Sequence, residues 1–137
     1  MVTAVALLPI LIFLWYLRSR YVVVTVRGHS MMPTFRDGQR ILVRRTGRRG
    51  LRPGDVAVFP TPASAAGPDT PAWLVKRVTA VAGDKVPPEL VVESGDTELI
   101  PPGHCVVRGD NPRSLDSRHF GYLPERSVLG VVCTPRR

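Results

Sequence analysis

The sequence predicts a mainly β fold, a compact β-barrel or sandwich preceded by one N-terminal transmembrane helix. Three observations carry that expectation. Fourteen prolines and twelve glycines in 137 residues work against long helices, because proline removes a backbone donor and glycine resists ordering. Short β-branched runs recur between turn signals along the body of the chain. The first 17 residues, MVTAVALLPILIFLWYL, contain no charged side chain.

That opening run would reach about 25 Å as a helix, just under the hydrocarbon thickness of a bilayer. Trp15 and Tyr16 stand where an interfacial aromatic belt would be, and Arg18 and Arg20 can snorkel to headgroups. Residues 1–20 are therefore expected to anchor the chain in a membrane and residues 21–137 to form the working domain. A cleavable secretory signal fits less well, since no basic segment precedes the run and no small-x-small site closes it. YVVVTVRG (Tyr21 to Gly28) reads as a first strand, QRILVRR as a second, and GDVAVFP as a third after the turn Pro53-Gly54-Asp55. RRTGRRGLR between the second and third is a glycine-punctuated arginine loop, suited to anionic headgroups or equally to plain solvation in an arginine-rich chain. Residues 60–71, PTPASAAGPDTP, lack periodicity and read as a loop within one domain. AWLVKRVTAVAGD is a further strand and turn, and short strands broken by Pro and Gly follow through HCVV and LGVVC.

Length leaves roughly 115 residues for one modest core. Nineteen Lys and Arg against eleven Asp and Glu give a formal charge of +8, which draws the chain to anionic surfaces, lipid or nucleic acid. Cys105 and Cys133 match no metal-ligand spacing and read as two small buried hydrophobes. A single disulfide is the alternative, and it requires an oxidising compartment.

Ser30, in VRGHSMMPTFRDG, raises the question of chemistry. Serine caps turns by bonding nearby backbone, but it is also a nucleophile when a base is at hand. The candidate bases are His29, His104, His119, Lys76 and Lys85. A triad of Ser30 with His119 and Asp116 is conceivable, although His and Asp three apart in a turn-rich segment are commonly plain loop residues. Lys76 interrupts the apolar run WLVKRV, and on a strand Lys76 and Arg77 must face opposite ways. If Lys76 is the inward one, burial lowers its pKa and equips it to take a proton from a serine hydroxyl. An edge-strand lysine guarding against aggregation is the alternative. A third segment, GDNPRSLDSRHFG, offers a turn at Gly109-Asp110-Asn111, a second hydroxyl at Ser114, and a charge pair between Asp116 and Arg118.

Taken in order, GHSMMPT, RPGDVAVF, KRVTAVAGD and GDNPRSLDSRHFG resemble the motifs of the type I signal peptidase family, the membrane-anchored Ser/Lys proteases. The resemblance runs from the anchor to the last strand. It implies a signal-peptidase-like fold and an endopeptidase that removes N-terminal signal peptides from exported preproteins. It implies Ser30 as nucleophile, Lys76 as general base, Ser114 as the hydroxyl that orients the lysine, and Asp116, Arg118 and Asp110 as supports of the site wall. Met31 follows the nucleophile as in the family. An extended substrate would lie between Val22 to Gly28 and Trp73 to Val75, so that Gly28, Met31, Trp73 and Val75 border the oxyanion and substrate positions. Neither a metal nor another cofactor is implied. The partners are preproteins and a lipid bilayer, with no nucleic acid, and the catalytic domain sits on the extracytoplasmic side of a single-pass anchor. The positive-inside bias of Arg18 and Arg20 argues for the opposite orientation.

Two departures stand out. Some family members carry Ser or Thr two positions before the nucleophile; this chain has Gly28, which leaves the Ser30 N–H as the chief oxyanion donor. Lys76 and Gly109 are 33 positions apart, too close for the extra β-domain of larger bacterial enzymes, which points to a compact form like the Gram-positive and mitochondrial inner-membrane ones. Autoproteolytic repressors share the dyad but cut an Ala-Gly bond upstream of the serine, whereas Ala66-Gly67 lies downstream here. A non-catalytic basic module on membrane or nucleic acid leaves Ser30, Lys76 and Ser114 without a role. A maturation protease dedicated to one substrate is a narrower version of the leading reading.

Overall fold

The computed structural model describes residues 2–46, 50–90 and 99–133, with side chains from residue 7 onward. The middle of the arginine loop, 47–49, and the short strand expected over 91–98 lie outside the described residues. An N-terminal helix, α1 (Val2–Arg20), runs straight into β1 (Tyr21–Thr25). Then come β2 (Arg40–Arg45), β3 (Val56–Pro60), β4 (Trp73–Val81), β5 (His104–Arg108), the one-turn helix α2 (Ser117–Phe120), β6 (Leu123–Pro124) and β7 (Gly130–Val132). All strands join one antiparallel sheet in the order β1-β2-β7-β3-β4-β5-β6, which curls on itself. A mainly β fold was expected; a single curled sheet takes the place of the two layers that a sandwich requires.

Both faces of this sheet are apolar, which explains why β3 reads as an unbroken VAVF rather than an alternation. Val56 and Val58 join Val43, Val75 and Val132 on one face, where Val26, Met31 and Phe35 of the Ser30 loop also pack. Ala57 and Phe59 join Leu74, Val78, Cys105 and Leu123 on the other. A register shift between Val78 and Ala80 then bends β4 toward a third, smaller cluster of Ala80, Ile100 and Val106.

Two expectations change here. Cys105 is fully buried and burial pushes its thiol up to about 12, but Cys133 is exposed just past the end of β7, and both thiols are free. The apolar N-terminus does form a helix, yet among the described residues no helix is long and apolar enough to cross a membrane. Its 19 residues reach about 28 Å at 1.5 Å each, and the last turn is given over to Arg18 and Arg20.

Candidate active site

The loop that carries Ser30 is tied at its base and at its tip. Val26 N–H donates to Gln39 O (2.8 Å), and Gly38 N–H returns to Val26 O (2.8 Å). Within it, Met32 N–H bonds His29 O and Phe35 N–H bonds Met31 O. Gly28 adopts φ +81°, a left-handed conformation that side-chain-bearing residues rarely take, while its N–H donates to Asp37 Oδ1 (2.7 Å). Met31 is wholly buried in the core, so it pegs the loop to the sheet and does not line the cleft.

Beside Ser30 lies a cleft of about 450 Å³ between β1 and the start of β4, bordered by Val22 to Arg27, Val58, Pro71 to Val75 and Leu129. Trp73 and Val75 are on its wall, and Gly28 is not. Among the described residues β1 pairs only with β2, which leaves its other edge toward this cleft without a strand partner. An extended peptide could add to that edge by backbone hydrogen bonds, with a mostly valine lining to receive small apolar side chains.

Lys76 is 1% exposed in the middle of β4, which pairs with β3 on one side and β5 on the other. The edge-strand reading is therefore wrong. Arg77 stands opposite Arg108, so the same ladder, continued one step, sets Lys76 level with Gly109. Burial brings the Lys76 pKa down from 10.5 to about 8, with the charges of Asp116 and Asp110 partly opposing it.

Gly109 is where the pieces meet. A Cβ built on it would stand 1.9 Å from Ser114 Oγ and 2.6 Å from Ser30 O, so only glycine lets the two serines approach. Asn111 then clamps the Ser30 loop from the other side: its N–H donates to Ser30 O (3.0 Å) and its Nδ2 to His29 O (3.1 Å). Asp110 accepts two bonds from Arg77, at 2.9 and 2.7 Å, and one from Thr34 Oγ1 (2.5 Å). These partners hold its carboxyl below the usual range although burial pulls the other way.

Asp116 is fully buried. Its carboxylate accepts from Gly109 N–H (3.0 Å), from Arg118 N–H (3.2 Å) and twice from the Arg118 guanidinium, at 2.9 Å each. Burial alone would raise this carboxyl; Arg118 and Gly109 bring it below its ordinary value. His119 is half-exposed and serves the same turn, its Nδ1 accepting from Asp116 N–H (3.3 Å) in a capping box. Ser114 is buried, and among the described residues its hydroxyl has only a long 3.5 Å bond to Leu115 O.

The clamp by Asn111, the bridge from Arg77 through Asp110 to Thr34, and the steric demand at Gly109 were not assigned from sequence. The adjacency of Gly109, Asp110 and Asn111 hinted at a turn, but nothing in the chain pointed across 76 positions to Thr34.

Against known proteins, the family model described as signal peptidase, peptidase S26, matches residues 1–90 and 88–135. The chain belongs to the signal peptidase family. The mitochondrial ATP-independent inner membrane protease subunit 1a of Arabidopsis thaliana is 34% identical over 128 residues, 85% of this chain and 72% of the relative. Signal peptidase IB of Staphylococcus aureus is 31% identical over 147 residues, 79% of this chain and 73% of the relative. A crystal structure of a signal peptidase I from Enterococcus faecalis V583 covers 62% of this chain and 98% of its own, at 22% identity and a TM-score of 0.45. As a signal peptidase, the protein is a serine endopeptidase that processes signal peptides.

Proposed function

We propose that Ser30 is the acylated nucleophile and Lys76 its general base, in a membrane-anchored enzyme that cuts preproteins lying extended between β1 and the start of β4. The neighbourhood of Gly109 carries this reading: the Ser30 carbonyl and the Ser114 hydroxyl both border the space that its missing side chain leaves open, and the β4–β5 ladder, continued one step, sets Lys76 opposite it. Ser30 Oγ attacks the scissile carbonyl while Lys76 Nζ takes the hydroxyl proton. The ammonium then protonates the leaving amine, and water, deprotonated by the same lysine, releases the signal peptide from its ester. Among the described residues the Ser30 N–H has no acceptor, which leaves it to bind the oxyanion. Asp116, Arg118 and Asp110 hold the wall and do not touch the reacting atoms.

In the same reading residues 1–20 anchor the chain and residues 21–137 form the catalytic domain on the extracytoplasmic side. Support comes from α1 itself, whose large apolar side chains from Leu7 to Tyr16 are about half-exposed or more on every face. A helix apolar all round belongs in a protein core or in lipid, and the sheet covers little of this one. Mass spectrometry of wild-type protein quenched during turnover with a preprotein should find a signal-peptide ester on Ser30. Ser30→Ala should lose both the ester and cleavage, with its circular dichroism unchanged; cleavage by that variant would sink the assignment.

A further inference from the structure

Two peptide units flank the Ser30 Cα, one arriving from His29 and one leaving toward Met31. A peptide unit is planar and trans, so its C=O and its N–H point in opposite directions. Whatever holds the His29 carbonyl therefore also aims the Ser30 N–H.

Two donors hold that carbonyl. Met32 N–H bonds His29 O from within the loop at 3.1 Å, and Asn111 Nδ2 bonds it from the far side of the site, also at 3.1 Å. The Asn111 backbone N–H bonds Ser30 O at 3.0 Å, which fixes the second peptide unit. One residue thus engages both planes that meet at Ser30. The Ser30 N–H, opposite His29 O, has no acceptor among the described residues, and Ser30 borders the cleft.

Asn111 is itself braced. Its Oδ1 accepts from Arg113 N–H (3.0 Å), and its backbone carbonyl accepts from Ser114 N–H (3.1 Å). Arg113 N–H can only donate and His29 O can only accept, so the amide has one workable orientation, with oxygen toward Arg113 and nitrogen toward His29. The turn behind it is tied as well, Gly109 N–H to Asp116 and Asp110 to Arg77 and Thr34. The bond to His29 O therefore comes from a fixed donor.

We infer that Asn111 positions the oxyanion donor: its amide, bound to His29 O, aims the Ser30 N–H into the cleft and makes it a stronger donor. A carbonyl that accepts a hydrogen bond polarises its own amide, which strengthens the N–H at the other end. A donor fixed before charge develops needs no reorganisation when the scissile carbonyl becomes an oxyanion. Gly28 offers no side-chain donor, so the aim of this one N–H matters more. The inference rests on the reading that Ser30 is the nucleophile and that its N–H meets the oxyanion. Asn111 touches neither substrate nor reacting atoms and acts through the peptide unit.

The test uses the full chain in detergent with two ligands, a peptide boronic acid carrying the residues that precede a preprotein's cut, and the same peptide as a carboxamide. The Ser30 hydroxyl adds to the trigonal boron and passes its proton to Lys76. The tetrahedral adduct then sets a boron-bound oxygen at the oxyanion position, whereas the carboxamide makes only the cleft contacts. Deleting an oxyanion donor costs about a hundred- to a thousandfold in kcat, so misaiming one should cost about ten- to thirtyfold. In Asn111→Ala, kcat should fall by that factor and the boronate Kd should weaken in proportion, while KM and the carboxamide Kd stay within about twofold. Asn111→Asp keeps the acceptor for Arg113 N–H and lacks the donor for His29 O. Its melting temperature should therefore stay near that of wild type while its kcat falls as far as in Asn111→Ala. Rates are read on the high-pH plateau, so that the added charge does not act through Lys76. Unchanged kcat and boronate affinity in Asn111→Ala would overturn the inference, as would recovery of both in Asn111→Asp, which would reduce Asn111 to a turn former. A raised KM at normal kcat would instead make Asn111 a substrate contact and overturn it too. Wild-type protein that forms no boronate adduct on Ser30 by mass spectrometry would overturn the nucleophile reading beneath it.

Discussion

Asp116 and Lys76 are both buried ions beside Gly109, and the chain treats them in opposite ways. Asp116 receives four hydrogen bonds from Gly109 and Arg118, and its charge is kept. Lys76 has no ion pair within reach among the described residues, and burial brings its pKa to about 8. A fully partnered ion does structural work, whereas an unpartnered one near neutrality is in a state to exchange a proton. The difference separates the wall of the site from its working group.

The largest expected effect comes from removing each ion in turn. Lys76→Met should reduce cleavage by on the order of a thousandfold or more, since no base remains, yet should raise stability at pH 7 by about 1–3 kcal/mol by relieving a buried charge. Lys76→Arg should be equally inactive, because guanidinium stays protonated. Asp116→Ala should do the reverse in stability, losing about 2–4 kcal/mol as Gly109 N–H and Arg118 lose their acceptor. Thermal melts and cleavage assays on the three variants test the contrast; a Lys76→Met protein that melts lower than wild type would erase it.

The sequence showed one side of this contrast better than the other. Lys76 stood out because an ammonium inside WLVKRV is either an edge-strand guard or an inward base, and the structure decides between the two by burying it between β3 and β5. Asp116 was legible as a partner of Arg118 two residues away, but its full burial was not, because burial depends on how β5 and α2 close over it. The same limit applies to Thr34 with Asp110 and to Asn111 with Ser30, pairings made by tertiary closure. Strand positions were readable from β-branching and turns. The single curled sheet was not, since continuous apolar runs fit a sandwich equally well. Cys133 was misread because LGVVC continues the apolar pattern one residue past the strand.

Gly109 links the two ions, and its replacement should have the next largest effect. In Gly109→Ala the new methyl meets Ser114 Cβ at 2.2 Å as well as its Oγ, and the Ser30 carbonyl behind it. Trimming the hydroxyl in a Gly109→Ala/Ser114→Ala protein therefore gives no relief. Cleavage should fall by about a hundredfold, because a displacement of about 1 Å at a reacting group has that scale of consequence. The melting temperature should fall as well. Near-normal kcat in Gly109→Ala would mean that the serines do not need their present separation.

A smaller effect is expected from pH. With a pKa of about 8, about one lysine in ten is neutral at pH 7 and about nine in ten at pH 9. Activity should therefore rise about tenfold across that range when chemistry limits the rate. Stability follows with a definite sign. The folded pKa lies below the unfolded value of 10.5, so between about pH 8 and 10.5 the unfolded chain binds a proton that the native chain has released. The contribution of Lys76 to stability then rises with pH through that window and is constant below about 8. Denaturant titrations of wild type and Lys76→Met at pH 7 and 10 isolate it, and a gap between them that widens with pH would contradict the assignment.

Ser114→Ala should have the smallest effect and is the finest test of how Lys76 is held. The Ser114 hydroxyl is buried but only weakly committed, at 3.5 Å from Leu115 O, which leaves it free to direct the lysine amine. Removing it loosens orientation without removing the base, so kcat should fall by about three- to tenfold and the fold should survive. The pH midpoint should remain near 8, because burial and the charges of Asp116 and Asp110 set it, and all three persist in the variant. A midpoint that moves by a full pH unit would make the hydroxyl a direct partner of the amine in one protonation state. A loss as large as that of Lys76→Met would place Ser114 on the proton's path, and the division between wall and working group would have to be redrawn around it.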